Sequence, residues 1–171
     1  MIRDLKNTDS EYMKEWMQHK EVTKYLKTEF ENFSDSMIQN FINESQNKDN
    51  TTNIHFAIVD EMDEYMGTIS LKNINRTDMN AEYAIATRTK AHGKGYARQA
   101  TMDILKYGFC TLGLEKIYLY VSVNNIAANK FYRKCGFVEE GVFRKHMCIK
   151  GKLEDIRWYS MLKEEFICEE Q

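Results

Sequence analysis

The segment 81–113 constrains the fold more than any other part of the sequence. A short run with strand character, 81–86, leads into two glycines separated by one lysine, Gly93-Lys94-Gly95. Apolar residues then recur at helical spacing from Tyr96 onward, and Gly113 stands where a helix C-terminal cap belongs. The pattern predicts a strand, a glycine loop and a helix.

The glycine loop has the properties of a pyrophosphate site. The first turn of a helix leaves backbone N–H groups without partners and carries the positive end of the helix dipole, so it attracts an anion. Gly93 and Gly95 have no side chain to block the approach of a phosphate, and Lys94 and Arg98 add positive charge.

Two common phosphate motifs do not describe this loop. A dinucleotide fingerprint needs a third glycine, but Arg98 stands at that position and its bulk would hinder close packing of helix on strand. A P-loop needs four residues between its glycines and then Gly-Lys-Ser/Thr, which is absent. The loop belongs to another type of site.

Two motifs together resemble those of the GNAT superfamily of acyl-CoA N-acetyltransferases. Lys90-Ala-His-Gly-Lys-Gly95 is similar to its acyl-CoA loop, Arg/Gln-x-x-Gly-x-Gly/Ala, with lysine in place of the usual first residue. Some thirty residues later, the second motif, Asn-x-x-Ala-x-x-Phe/Leu-Tyr-x-x-x-Gly-Phe, is matched by six residues: Asn125, Ala128, Phe131, Tyr132, Gly136 and Phe137. The resemblance covers roughly 53–166.

The resemblance implies an α/β (α+β) fold: a mixed central sheet of about seven strands, splayed at the acyl-CoA site and flanked by about four helices. One domain over 1–171 is the economical reading of the chain length. Alternating and β-branched runs at 55–59 and 65–71 predict a hairpin, and an apolar run at 117–123 predicts a buried central strand. The strand–helix–strand unit should be a right-handed crossover with parallel strands, and a closing hairpin is expected around 150–152.

The resemblance also implies how acetyl-CoA, the acyl donor, is held. Pantetheine would lie as a substitute strand in the gap beside residues 83–87, and the pyrophosphate would sit on the loop amides. The expected donor contacts are Ile85, Ala86, Thr87, His92, Gly93, Lys94, Gly95, Tyr96, Ala97, Arg98, Asn125, Asn129 and Tyr132.

Two catalytic residues follow from the same comparison. Tyr132 occupies the position that protonates the departing thiolate in many GNAT enzymes, which a phenol can do. Glu82 is the candidate base, with an alternative role as an anion that only binds the substrate.

The N-terminal segment is expected to form a lid over the acceptor substrate. Ser10 and Ser34 are predicted N-caps of two helices with apolar residues at core spacing. By resemblance, this region and the following strands supply five candidate contacts to the acceptor: Trp16, His19, Tyr25, Glu29 and Glu82.

The expected reaction is acetyl transfer from acetyl-CoA to a primary amine of a small molecule, by direct attack in a ternary complex. The segment 16–29 resembles nucleotide-linked amino-sugar acetyltransferases most, so an amino sugar is the first expectation. The alternatives are a protein N-terminus, such as that of a ribosomal protein, and a polyamine. Two other classes remain open: a CoA-binding sensor without catalysis, and a scaffold that does not bind CoA.

Composition limits the remaining possibilities. A net charge of -2 and a pI near 6.1 argue against a nucleic-acid partner. The sequence lacks a signal-length or membrane-length apolar run, so a cytoplasmic protein without a membrane partner is expected. The spacing of the histidines and the four cysteines predicts no metal site and reduced thiols. Analogy also allows a homodimer through the closing hairpin.

Overall fold

Seven strands form one mixed sheet in the computed structural model, which describes residues 1–47 and 51–166. The strands are β1 (Ile2–Asp4), β2 (Ile54–Val59), β3 (Tyr65–Asn75), β4 (Asn80–Thr87), β5 (Lys116–Ser122), β6 (Val138–Ile149) and β7 (Lys152–Leu162). Their spatial order is β1-β2-β3-β4-β5-β7-β6. The predicted mixed seven-stranded sheet is confirmed.

Five α-helices flank the sheet within these described residues. They are α1 (Ser10–Met17), α2 (Lys20–Thr23), α3 (Asp35–Ser45), α4 (Tyr96–Lys106) and α5 (Ile126–Lys134), and a π-helical turn, Tyr107–Thr111, continues α4. The count exceeds the expected four because α2 is a single turn.

The two predicted N-caps have different outcomes. Ser34 caps α3 as predicted, since its hydroxyl accepts a hydrogen bond from Met37 N at 3.3 Å. The Ser10 prediction is wrong. Ser10 is already the first residue of α1, and its hydroxyl donates back to the Asn7 carbonyl at 2.9 Å.

The sheet is antiparallel except at its centre. Strands β2, β3 and β4 form a meander, and β6 and β7 form the predicted closing hairpin, with β7 paired to β5. Strands β4 and β5 are parallel, as the crossover predicted.

The parallel pair separates after three residues. Asn80, Ala81 and Glu82 pair with Lys116, Ile117 and Tyr118, and β4 has no further register with β5 up to its end at Thr87. The other side of β4 stays paired with β3 without a break from Glu82 to Thr87. Gly67 allows this close approach, because a Cβ there would lie 2.4 Å from Ala86 O. The sheet is therefore splayed on one side of β4 only.

The two faces of the sheet carry separate cores. One face packs against α4 and α5, around Ile104, Phe109 and Tyr159. The other packs against α1 and α3, around Trp16 and Ile42. The splay lies between them.

Membrane-spanning helices are absent from the part of the chain that the structure describes. Among the described residues, no helix has the length and apolarity to cross a membrane.

The cysteines differ in their oxidation state. Cys135 and Cys148 are free thiols, in agreement with the prediction. Cys110 is disulfide-bonded, so the prediction of reduced cysteines is wrong there, and Cys168 lies outside the described residues.

Candidate active site

A cavity of about 260 Å³ lies at the splay, on the face covered by α1 and α3. The sheet supplies polar side chains to its wall, among them His55, Thr68, Ser70, Lys72, Glu82 and Tyr120. The lid side supplies apolar and aromatic ones, among them Met13, Trp16, Tyr25, Phe30, Phe33 and Phe41. Tyr132 and Ile85 complete the wall where β4 and β5 separate. The cavity thus opens beside the strand edge that lacks a partner.

The glycine loop leads directly into α4. Gly93 and Gly95 adopt φ values of +73° and +86°, a left-handed backbone that other residues rarely adopt, and a Cβ at either position would meet no atom within 4 Å. The first helical bond runs from Gln99 N to Gly95 O at 3.0 Å, so the amides of residues 96–98 head the helix. This is the geometry of an anion site.

Arg88 anchors the strand end that precedes this loop. Its buried guanidinium donates to Glu15 Oε2 of α1 at 2.6 Å and to Glu64 Oε1 at 2.7 Å, and it lies over the ring of Tyr12 at 4.6 Å. Lys90, the first residue of the loop motif, donates to both carboxylate oxygens of Glu64. Arg88 therefore ties the base of the loop to the lid, and both residues tie it to the turn between β2 and β3.

The backbone of β4 presents alternate residues to the splayed edge. Arg88 N donates to Met66 O, and the register pairs Thr87 with Gly67 and Ile85 with Ile69. Because successive residues direct their N–H and C=O groups to opposite edges, Ile85 and Thr87 face the gap. Ala86 directs its backbone to β3, which corrects its predicted role as a backbone contact to the donor.

Asn125, the N-cap of α5, and Asn129, within α5, both form hydrogen bonds inside the fold. Asn125 Oδ1 caps the helix by accepting from Ala128 N at 3.2 Å. The buried Asn129 donates from Nδ2 to the carbonyls of Ser122 and Asn125, and its Oδ1 accepts from Arg157 and Tyr159. All four hydrogen bonds of this amide are made, so the predicted contact of Asn129 with CoA is corrected to a structural role.

Tyr132 lies on the inner side of α5 with 9% of its surface exposed. Its ring packs edge-on against Tyr83 at 6.0 Å and against Phe137 at 6.0 Å. Burial raises the pKa of Tyr132 well above its ordinary value, so the hydroxyl stays protonated near neutral pH. A protonated phenol therefore borders the cavity.

Glu82 lines the same cavity and is 7% exposed. Lys72 Nζ lies 2.6 Å from Glu82 Oε1, and Asn73 Nδ2 donates to Glu82 Oε2 at 2.9 Å. Both partners come from β3, where Lys72 stands opposite Glu82 in the register. The carboxylate is thus ion-paired and hydrogen-bonded inside the wall.

Two titratable neighbours of this pair are neutral near pH 7. Burial and then the Lys72 charge lower the pKa of His55 to about 4, and the ring lies 2.7 Å, Nδ1 to Oγ, from Ser70. Burial and then the Glu82 charge raise the pKa of Tyr120 to about 12. The charge of the sheet side of the cavity is therefore set by Lys72 and Glu82.

The predicted acceptor contacts are only partly brought together. Trp16, Tyr25 and Glu82 line the cavity, and Trp16 Nε1 is fixed by a 3.0 Å bond to Tyr65 Oη. His19 and Glu29 are exposed and are not part of the cavity wall. Both stand at turns of the lid outside the cavity.

Sequence reasoning missed the polar row on β3. Thr68, Ser70 and Lys72 alternate with the apolar Ile69 and Leu71, and all three line the cavity. Polar residues at every second position of β3, the strand next to β4, are a signal that could have identified this wall.

The sequence match agrees with this geometry. Residues 1–138 match the acetyltransferase (GNAT) domain family. The chain therefore belongs to the GNAT family of N-acetyltransferases.

Two individual N-acetyltransferases are similar to this chain in sequence. Spermidine N(1)-acetyltransferase of Vibrio cholerae is 35% identical over 112 residues, which are 66% of this chain and 65% of that enzyme, so the match spans just under two thirds of it. The uncharacterized N-acetyltransferase p20 of Bacillus licheniformis is 31% identical over 96% of this chain and 93% of its own.

A solved structure matches nearly the whole chain. It is spermidine N-acetyltransferase from Vibrio cholerae in complex with CoA and spermine, with a TM-score of 0.87 and 29% identity. The match covers 97% of this chain and 96% of that one.

Proposed function

We propose that the chain transfers the acetyl group of acetyl-CoA to a primary amine of a small molecule. The observation that carries this proposal is that Tyr132 and Glu82 border one cavity, and that this cavity opens at the splay between β4 and β5. The family and the CoA-bound structural neighbour support the donor.

The donor is held mainly by backbone. Pantetheine lies along the splayed edge, where the N–H and C=O groups of Ile85 and Thr87 replace strand pairing. The pyrophosphate lies on the amides at the start of α4, with Lys94 and Arg98 beside it. His92 is exposed at the same loop. An N–H of β4 at the thioester stabilises the carbonyl oxygen as its negative charge develops.

The chemistry is a direct displacement. The neutral amine nitrogen attacks the thioester carbonyl carbon, the C–S bond breaks, and the sulfur leaves as a thiolate. The Tyr132 hydroxyl donates its proton to that sulfur and recovers it from solvent, while the proton lost by the amine passes to Glu82 or to water. The products are the N-acetylated amine and CoA.

The relatives and the cavity support a polyamine as acceptor rather than the nucleotide-linked amino sugar that was first expected. The named relatives include spermidine acetyltransferases. About 260 Å³ lies below the usual range for a drug-sized ligand, and the apolar and aromatic lid suits a methylene chain better than a sugar nucleotide. Glu82, the carboxylate that lines the cavity, lies beside the reacting amine end.

Thiol release from acetyl-CoA against an amine panel tests the proposal. The panel contains spermidine, spermine, a nucleotide-linked amino sugar, and peptides with N-terminal Ala or Ser. Turnover is expected on the polyamines. Turnover only on the sugar or the peptides would refute the acceptor class, and acetyl-CoA binding without turnover on any amine would favour the CoA-binding sensor.

A further inference from the structure

The charges around the acceptor end of the cavity are unusual for a cation site. Among the described residues that line the cavity, Glu82 is the only carboxylate, and two lysines, Lys27 and Lys72, line it as well. Both oxygens of Glu82 already have partners, Lys72 Nζ at 2.6 Å and Asn73 Nδ2 at 2.9 Å. The wall therefore offers no unpaired negative charge to an incoming ammonium.

The surrounding elements do not reverse this balance. From β2, His55 is neutral near pH 7, and from β5, Tyr118 and Tyr120 are neutral because burial and the Glu82 charge raise the pKa of each phenol. From the lid, the segment after α2 contributes the positive Lys27. From β6 and β7, the wall consists of the apolar Met147, Ile149 and Ile156. The buried carboxylate of Glu154 on β7 does not line the cavity, and Ser122, Asn124 and Lys152 already bind it.

The protonation state of the acceptor decides whether acetyl transfer can begin. A primary alkylamine has a pKa near 10 and is an ammonium at neutral pH, but only its neutral form has the lone pair that attacks a thioester. A wall with net negative charge would hold the ammonium and oppose its deprotonation. A neighbouring positive charge favours the neutral amine.

We propose that Lys72 makes the cavity bind its acceptor as the neutral amine, because it neutralises Glu82 in place of a substrate ammonium. Lys72 is a positioning residue here: it acts through the charge of Glu82 and of the bound amine. The inference rests on the proposed function. A polyamine enters with its reacting end uncharged and keeps its other ammonium groups at the cavity mouth.

A pair of isosteric probes tests the inference without any acetyl transfer. Choline carries a permanent trimethylammonium group, and 3,3-dimethyl-1-butanol has the same shape without the charge. Binding of each is measured by calorimetry on the CoA-saturated protein, for the wild type, Lys72→Met and Lys72→Arg.

The wild type and Lys72→Arg should bind choline no more tightly than the neutral isostere. Lys72→Met, in which Glu82 has lost its ion pair and keeps only the hydrogen bond from Asn73, should bind choline at least tenfold more tightly than the wild type does. The proposal is overturned if the wild type prefers choline tenfold or more, or if Lys72→Met gains no affinity for it. Unchanged CoA affinity and a cooperative thermal transition show that each variant is folded.

Kinetics with an amine from the panel provide the second readout. In the wild type, KM should fall about tenfold for each unit by which the pH is raised, as long as the pH is below the pKa of the amine. The reason is that the neutral fraction of the amine rises by that factor. In Lys72→Met, KM at pH 7 should be lower and nearly independent of pH, while kcat should acquire the pH dependence. A purely structural defect would lower kcat at every pH. It would leave the pH dependence in KM and would not transfer it to kcat. If no amine is turned over, the proposed function fails, and the probe pair still decides the role of Lys72.

Discussion

The guanidinium of Arg88 and the carboxylate of Glu15 lie 2.6 Å apart. This ion pair joins the residue that follows β4 to α1, the first helix of the lid. Arg88 also donates to the Tyr65 carbonyl at 2.9 Å, one residue from its second acidic partner, Glu64. Its buried charge is therefore matched on two sides. Loss of Arg88 should disturb the glycine loop and the lid together.

Arg88→Met should destabilise the fold by about 2 kcal/mol, because hydrogen bonds to charged groups are lost and the Tyr65 carbonyl loses its donor. Urea denaturation followed by circular dichroism measures this change. Lys14→Met is the matched control, since Lys14 pairs with Asp35 on the surface and its loss should cost less than about 1 kcal/mol. Equal losses in the two variants would contradict the role given to Arg88.

Tyr132→Phe should lower kcat on the order of 100-fold, because the departing thiolate loses its proton donor. The Kd of CoA should stay within about twofold, since the ring and its packing remain. Thiol release and calorimetry measure the two quantities. Tyr107→Phe, at a half-buried tyrosine that contacts Phe56 away from the cavity, should leave both unchanged. An undiminished rate in Tyr132→Phe would remove its role as the acid.

Gly95→Ala should weaken CoA binding and also cost about 1–2 kcal/mol of stability, because φ is +86° at this position. Gly113→Ala separates the two effects. Gly113 has φ +71° and equally open surroundings, but it lies at the other end of the α4 region. We expect similar losses in the free energy of unfolding for both variants, and weaker CoA binding by calorimetry only for Gly95→Ala.

His55 gives the fold a pH dependence whose sign is fixed by burial. Its pKa is about 4 in the folded protein and near 6.5 in an unfolded chain, so the unfolded state binds a proton first as the pH falls. The stability contributed by the neutral ring is complete above pH 6.5 and is lost between pH 6.5 and pH 4.

His55→Asn keeps a polar partner for Ser70 without this titration. Unfolding free energies measured by urea at several pH values should fall more steeply for the wild type than for His55→Asn across that range. The difference in slope should approach, at most, about 1.4 kcal/mol per pH unit. Parallel curves for the two proteins would show that His55 does not titrate differently on folding.

The fold was predictable because its determinants are local. The glycine loop, the alternating strands and the crossover each depend on residues near one another in the sequence, and the structure contains all three. The family resemblance selected Tyr132 and Glu82, and both line the cavity.

The missed features depend on the register between distant elements. Lys72 meets Glu82 only because β3 and β4 pair as they do. Asn129 is occupied by partners from β5 and β7, and the partners of Arg88 come from α1 and the β2–β3 turn. No local pattern reveals which polar groups are already satisfied inside the fold.

The splayed edge of β4 has a consequence for the evolution of such a chain. Since the donor contacts proposed there come from peptide groups, substitutions along residues 85–87 can accumulate without abolishing the use of CoA, provided the strand keeps its shape. The acceptor contacts proposed for the lid and for the polar row of β3 are made by side chains and lack this tolerance. Descendants of one ancestor can therefore diversify in the amines they accept while inheriting an unchanged acyl donor.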